Sequence, residues 1–212
     1  MPLTFQAVVE RLEVALAEPL PGPAAHARLT PTPRRQWPAG FDRASIREAA
    51  VLLVVFPIDE RPHVVLTVRD DRLGRHSGQV SLPGGVVEAG ETYEQAALRE
   101  AREEVALPVH GVRVVGALTP VEIPVSGFRL RPIVATLAER PAWTAAQGEV
   151  ARVLEVPVTD LLDRNCLASN ERNRDGQRIH VPAFHVGDQE IWGATAMVLA
   201  EFLELLGWTH VI

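Results

Sequence analysis

Six glutamates and two arginines crowd the stretch "GGVVEAGETYEQAALREAREEVAL", residues 84 to 107. Glu100, Glu103 and Glu104 fall within five residues of one another. Thr92 and Gln95 fit a T-x-x-Q capping box, which predicts a helix with Thr92 as its N-cap. Pro108 disfavours helical geometry at Leu107 and sets the far end. At about 100° per residue, Glu94, Leu98, Ala101 and Val105 share one face, which apart from Glu94 is the one to bury. Glu100, Glu103 and Glu104 lie roughly opposite, with Arg99 to one side, within reach of Glu91 or Glu103. Like charges at i,i+4 cost about 0.2–0.5 kcal/mol per pair. A solvated face diluted by Arg99 and Arg102 tolerates that cost. A hard cation removes it, because Mg²⁺ or Mn²⁺ takes oxygen ligands and two or three carboxylates on one helical face supply them.

Other elements must position this helix. Apolar residues at helical spacing (Phe5, Val8, Val9, Leu12, Leu16) predict a helix over 3–17. Residues 19–41, rich in Pro, Ala and Gly, read as an extended linker or wrapped arm. Strand-like runs follow at 50–57 and 63–69, with a short one at 78–82 leading into Pro83-Gly84-Gly85. Further strands are expected at 112–118, 127–137 and 150–156. The segment "DRNCLASNERNRDGQR" reads as a polar loop before short strands near 179–186 and 189–192. Residues 195–206 read as an apolar-faced closing helix. This order suggests a layered α/β domain, residues 43–212, preceded by an N-terminal helix and Pro-rich arm, residues 1–42.

The spacing of the charged residues resembles the signature of the Nudix hydrolases, G-x5-E-x7-R-E-U-x-E-E-x-G-U, where U is apolar. Here it reads Gly85, Glu91, Arg99-Glu100, Ala101, Glu103-Glu104, Leu107, without a gap. Six fixed matches arise by chance in roughly one of 10⁵ chains of this length. The second signature glycine is Ala106, where a left-handed helix end would disfavour alanine by about 1 kcal/mol, so a different helix end is expected. The resemblance implies an α/β/α sandwich with a mixed sheet between helices. It implies Glu100 and Glu104 as main metal ligands with Glu103 beside them, a backbone carbonyl from Gly84 or Gly85, and an Arg99–Glu91 pair holding helix and loop together. It implies hydrolysis of a nucleoside diphosphate linked to another moiety, with Mg²⁺ or Mn²⁺ neutralising phosphate oxygens and lowering the pKa of the attacking water.

Upstream, "LTVRDDRLGRHSGQVSLPGG", residues 66–85, is similar to the motif of coenzyme A pyrophosphatases, L-L-T-x-R-[SA]-x3-R-x3-G-x3-F-P-G-G. Leu66, Thr67, Arg69, Gly78, Pro83, Gly84 and Gly85 match. Val65, Asp70, Gly74 and Leu82 depart, and Arg75 stands next to the missing arginine. "SGFRLRPIV" and "IWGATA" also look like segments of that subfamily. Arg69, Arg75, His76 and Gly78 are therefore the expected substrate-binding residues, since guanidinium forks pair with phosphate oxygens bidentately. The bland reading of "RDDRLGRH" is a solvated hairpin turn. Glu149 is a candidate extra carboxylate, as ligand or base, against an exposed loop residue. Trp192 is a candidate adenine stacker, against a core residue.

The bulk numbers agree with such an enzyme. The chain has 212 residues, enough for one domain with extensions, and 47% apolar content. Net charge is −6, which argues against broad nucleic-acid binding. All 21 basic residues are arginine. No apolar run is long enough to span a membrane, nothing reads as a signal peptide, and the single Cys166 excludes an internal disulfide. A cytoplasmic enzyme with a small-molecule nucleotide substrate is expected, with a homodimer left open. Of the metal-dependent Nudix activities, cleavage of coenzyme A or its thioesters to adenosine 3′,5′-bisphosphate and 4′-phosphopantetheine leads. ADP-ribose hydrolysis and a catalytically silent nucleotide-binding domain are the rivals.

Overall fold

The computed structural model describes residues 3–70, 72, 78–174 and 176–209. Strand β1, Arg47–Ile58, is the axis of the molecule. Its residues alternate between two apolar clusters. Val51, Leu53 and Val55 enter one; Ala50, Leu52, Val54 and Phe56 enter the other. A strand buried on both faces needs a layer on each, and the chain supplies them.

Around β1 lies a mixed sheet. Strand β7, Phe128–Thr136, pairs with it in parallel over nine residues. Strand β2, Arg61–Arg69, pairs with its far end, and β4, Gly84–Val86, with its near end, both antiparallel. Strands β3, Val80–Ser81, and β8, Val150–Pro157, flank β2, while β5, Arg113–Ala117, and β6, Val121–Ile123, pair with β7. One face is covered by α3, Tyr93–Val105. The other is covered by α1, Phe5–Ala15, and α5, Gly193–Leu205, with α2, Pro23–Arg28, and α4, Val158–Leu162, beside them. This is the expected mixed α/β architecture with helices on both faces.

The segment read as an extended linker or wrapped arm contains α2 and shares the core. Leu29 and Ala25 are fully buried. The fully buried Glu201 of α5 accepts from Gly22 N (3.1 Å), His26 Nε2 (2.9 Å), Thr119 N (3.1 Å) and Thr119 Oγ1 (2.6 Å). A buried carboxylate is tolerated when its lone pairs are filled in this way.

Two local expectations are corrected. The segment read as a polar loop holds strand β9, Leu167–Arg174, paired with β10, Gln177–Val186, which pairs in turn with β11, Gln189–Trp192. Its polar residues find cross-strand partners: Asn170 and Arg172 both bond Glu190. The helix end is the second. Ala106 adopts the left-handed conformation (φ 55°, ψ 44°) that a glycine would favour. Ala106 N donates to Arg102 O and Leu107 N to Ala101 O, both at 3.2 Å, as in a Schellman motif. The turn drives Leu107 into the core at 3% exposure. Burying a leucine is worth about 1.5–3 kcal/mol, which exceeds the roughly 1 kcal/mol strain at alanine.

Candidate active site

Helix α3 begins as expected: Thr92 Oγ1 accepts from Gln95 N and Gln95 Oε1 accepts from Thr92 N. Its buried face is broader than the sequence suggested. Ala96, Ala97, Ala101 and Val105 are buried, whereas Leu98 is only partly covered. The three alanines let the helix lie close on β1.

The carboxylates do not share one environment. The Glu103 side chain is 57% exposed and the Glu100 side chain 19%. Glu104 is mostly buried against the loop at Gly84, whose N–H donates to Glu104 Oε2 at 3.1 Å. Burial is the main reason that the Glu104 carboxyl is pushed up to about 7. The negative charges of Glu100 and Glu149 push the same way, while the Gly84 N–H and the positive charge of Arg69 oppose them. The charges that act on Glu104 thus come from three parts of the chain: Glu100 on α3, Glu149 before β8 and Arg69 at the end of β2.

Gly85 sits directly against Glu100. A Cβ there would fall on the Glu100 carboxylate. Arg99 holds the other side: Nε and Nη2 donate to the two oxygens of Glu91 (2.7 and 3.0 Å), Nη2 to Val86 O (3.1 Å), and Nη1 to Glu100 (2.9 Å) and Glu103 (3.3 Å). Its guanidinium keeps the Glu91 carboxyl below the usual carboxylate range. Helix, glycine loop and the turn before the helix are thereby fastened by one side chain.

The loop before β8 fixes Glu149. Thr144 N donates to Val105 O (3.1 Å) and Ala146 N to Glu104 O (2.9 Å), filling carbonyls that the end of α3 leaves open. Asp70 N donates to Glu149 O at 2.9 Å, tying the same loop to the end of β2. Thr144 and Ala146 had no sequence signal, because they act through backbone groups.

The expected substrate segment is visible in part. Arg69 ends β2, and its backbone closes a hairpin with Gln79 and Gly78. Gly78 has φ 69°, so its role here is to turn the chain. Asp70, a departure from the motif, accepts from Arg72 N, Nε and Nη2 at 2.7–2.9 Å and is held near 2 by those bonds. Arg75 and His76 lie outside the described residues. Trp192 carries Arg172 over its ring at 4.4 Å, so one stacking face is taken. Cys166 is buried, its thiol pushed up to about 11 by burial, which makes it inert.

The donor set fits a divalent cation in two respects. Glu104 is a largely buried carboxylate beside two other negative groups, and the missing side chain of Gly85 lets the Glu100 carboxylate lie against the glycine loop. Among the described residues, no three acidic, histidine or cysteine side chains converge to ion-holding distance in this arrangement. Glu100 turns to Arg99 and Glu104 to Gly84 N.

Comparison with known proteins agrees with this geometry. Residues 46–175 match the model of the NUDIX domain. The chain is 37% identical over 162 residues to the uncharacterized Nudix hydrolase NudL of Citrobacter koseri, covering 76% of this chain and 83% of the relative. A NudL of Salmonella paratyphi B is 37% identical over 164 residues, with the same coverage. Among solved structures, the Nudix hydrolase RenU of M. smegmatis superposes with a TM-score of 0.52 at 20% identity, covering 79% of this chain and 89% of that one. No helix among the described residues is long and apolar enough to cross a membrane. A NUDIX domain match over most of the chain, with relatives at 37% identity, makes this protein a member of the Nudix family, a pyrophosphohydrolase of a nucleoside diphosphate derivative.

Proposed function

We propose that the protein hydrolyses the diphosphate of coenzyme A, or of its thioesters, to adenosine 3′,5′-bisphosphate and (acyl-)4′-phosphopantetheine. The observation that carries this reading is the arginine-bearing end of β2 beside the carboxylates. Arg69 lies close enough to draw the Glu104 carboxyl down, and the segment it opens is the one similar to the coenzyme A pyrophosphatase motif. Coenzyme A bears a 3′-phosphate in addition to its diphosphate, so it calls for cations beyond those needed for the diphosphate alone.

In this reading Glu100 and Glu104 hold Mg²⁺ or Mn²⁺, with Glu103 and the Gly85 carbonyl beside them. The ion supplies charge neutralisation on the phosphate oxygens and a more acidic attacking water. Arg99 and Glu91 keep the helix and the glycine loop in register. Arg69, with Arg75 and His76, binds phosphate, and Gly78 turns the chain that carries them. Glu149, on a loop hydrogen-bonded to both the end of α3 and the end of β2, accepts a proton at its carboxylate in this reading.

The test is direct. Purified protein is incubated with Mg²⁺ or Mn²⁺ and a panel containing coenzyme A, acetyl-coenzyme A and ADP-ribose, and products are identified by mass. Coenzyme A is expected to be cleaved fastest, releasing adenosine 3′,5′-bisphosphate. Equal or faster cleavage of ADP-ribose refutes the substrate and leaves the family standing.

A further inference from the structure

We propose that Arg72, held in place by Asp70, recognises the 3′-phosphate of the substrate and so sets the preference for coenzyme A over diphosphates that lack that group. This rests on the coenzyme A reading above. Both residues lie outside what the upstream motif prescribes. Asp70 takes the place of a small residue, Gly74 that of an arginine, and position 72 is one that the motif leaves open. The segment thus lacks one arginine of the motif and carries another just before it, beside a carboxylate that can hold it.

The pair forms an anchored fork. Arg72 Nε donates to Asp70 Oδ1 at 2.9 Å, Nη2 to Oδ2 at 2.7 Å, and the Arg72 backbone N–H to Oδ1 at 2.9 Å. The Asp70 side chain is 12% exposed and that of Arg72 76%. The carboxylate is thus the buried end and the guanidinium the open one, with Nη1 engaged by none of the described residues. Asp70 is in turn fixed to the site. Its N–H donates to Glu149 O at 2.9 Å, and it directly follows Arg69 at the end of β2.

As a prop for the fold the pair adds little, because an ion pair with an exposed member is screened by solvent. What it changes is the freedom of Arg72. A mobile arginine gives up rotamer entropy when it takes a ligand, whereas one clamped through Nε and Nη2 has given it up on folding. The N–H groups left over on the open side are matched to phosphate oxygens. In the coenzyme A reading the metal ion and Arg69 serve the diphosphate. The phosphate that remains is the 3′-monoester, carried on the same ribose and farther from the bond that breaks. Three residues of chain span at most about 10 Å, so an exposed arginine that far beyond Arg69 suits this outlying group.

Two variants and two ligand pairs test this. Coenzyme A and dephospho-coenzyme A differ only in the 3′-phosphate. Arg72→Ala should lower the ratio of kcat/KM for coenzyme A over dephospho-coenzyme A about tenfold, the loss falling on KM rather than kcat. Asp70→Asn keeps the size of the side chain and an acceptor for Arg72 N. If Asp70 acted through its charge alone, removing that charge would tighten the binding of a phosphate. A positioning role has the opposite sign, so the ratio should fall by about threefold. Calorimetric titration with adenosine 3′,5′-bisphosphate and with 5′-AMP reads the same contact without turnover. The wild type should prefer the bisphosphate, and Arg72→Ala should lose about tenfold of that preference. If coenzyme A is cleaved and Arg72→Ala keeps the full ratio, the assignment of Arg72 is overturned and the substrate reading stands. Tighter binding of the bisphosphate by Asp70→Asn overturns the positioning role of Asp70. If coenzyme A is not cleaved, the substrate reading falls, and the calorimetric preference alone decides for or against Arg72.

Discussion

Gly84 and Gly85 are neighbours in the glycine loop, yet a methyl group at each meets a different kind of obstacle. At Gly85 it falls on the carboxylate of Glu100; at Gly84 it falls on Ala50 O and within 2.6 Å of Val51 Cα. A carboxylate at the end of a flexible side chain can swing aside, at a rotamer cost of about 0.5–1.5 kcal/mol. Backbone in the middle of β1 cannot. Gly85→Ala should therefore lose only about 1 kcal/mol of stability, or roughly 2–4 °C in Tm for a chain of this size. Its turnover should fall about 100-fold, because Glu100 is displaced by an ångström or more from where it acts. That fall corresponds to about 2.7 kcal/mol of transition-state stabilisation. Gly84→Ala should instead strain the β1–β4 pairing, costing about 1–3 kcal/mol or more in stability as overpacking does. Urea unfolding and coenzyme A turnover in Mg²⁺, measured on both variants, separate the two effects. Wild-type turnover in Gly85→Ala would refute the placement of Glu100 in the machinery. Equal destabilisation of the two variants would refute the argument from side-chain freedom.

Glu104→Gln keeps the hydrogen-bond acceptor for Gly84 and removes a charge that burial already disfavours, so Tm should hold or rise while turnover in Mg²⁺ or Mn²⁺ is largely lost; unchanged turnover would contradict its role as ligand. Arg99→Ala releases Glu91, Glu100, Glu103 and Val86 O together, so thermal stability and turnover should fall jointly, and a stable variant with only a substrate-binding defect would count against a structural fastening. Arg69→Ala removes a charged fork worth roughly tenfold or more in kcat/KM, which should lower the preference for coenzyme A over ADP-ribose; an unaltered preference would shift recognition elsewhere. Glu201→Gln places an amide donor among donors and leaves one of Gly22, His26 or Thr119 unpaired, costing about 1–3 kcal/mol in urea unfolding with turnover at 25 °C retained by the folded protein.

The features legible in the sequence are those whose causes are local. The capping box at Thr92, the alternation in β1 and the fixed spacing of Gly85, Glu91, Arg99, Glu100 and Glu104 each rest on residues within one short continuous stretch of chain. The features that were missed have distant causes. Residues 22–29 carry no periodicity that marks them as core, because what holds them is Glu201, about 180 residues away on α5. Strand β9 shows no apolar alternation, because side chains such as Asn170 find polar partners on β11, beyond β10. Ala106 was the wrong residue for its backbone conformation, and only the burial of Leu107 accounts for it. The same division runs through the site. The glutamate-bearing helix is a local motif, while the position of Glu149 depends on Ala146 and Thr144 capping a helix end some forty residues upstream in the chain, and on Asp70 reaching across from β2. A Nudix box therefore fixes the helix and its carboxylates, whereas the loop between β7 and β8, which the box does not constrain, carries the backbone groups that cap α3 and hold Glu149 in place.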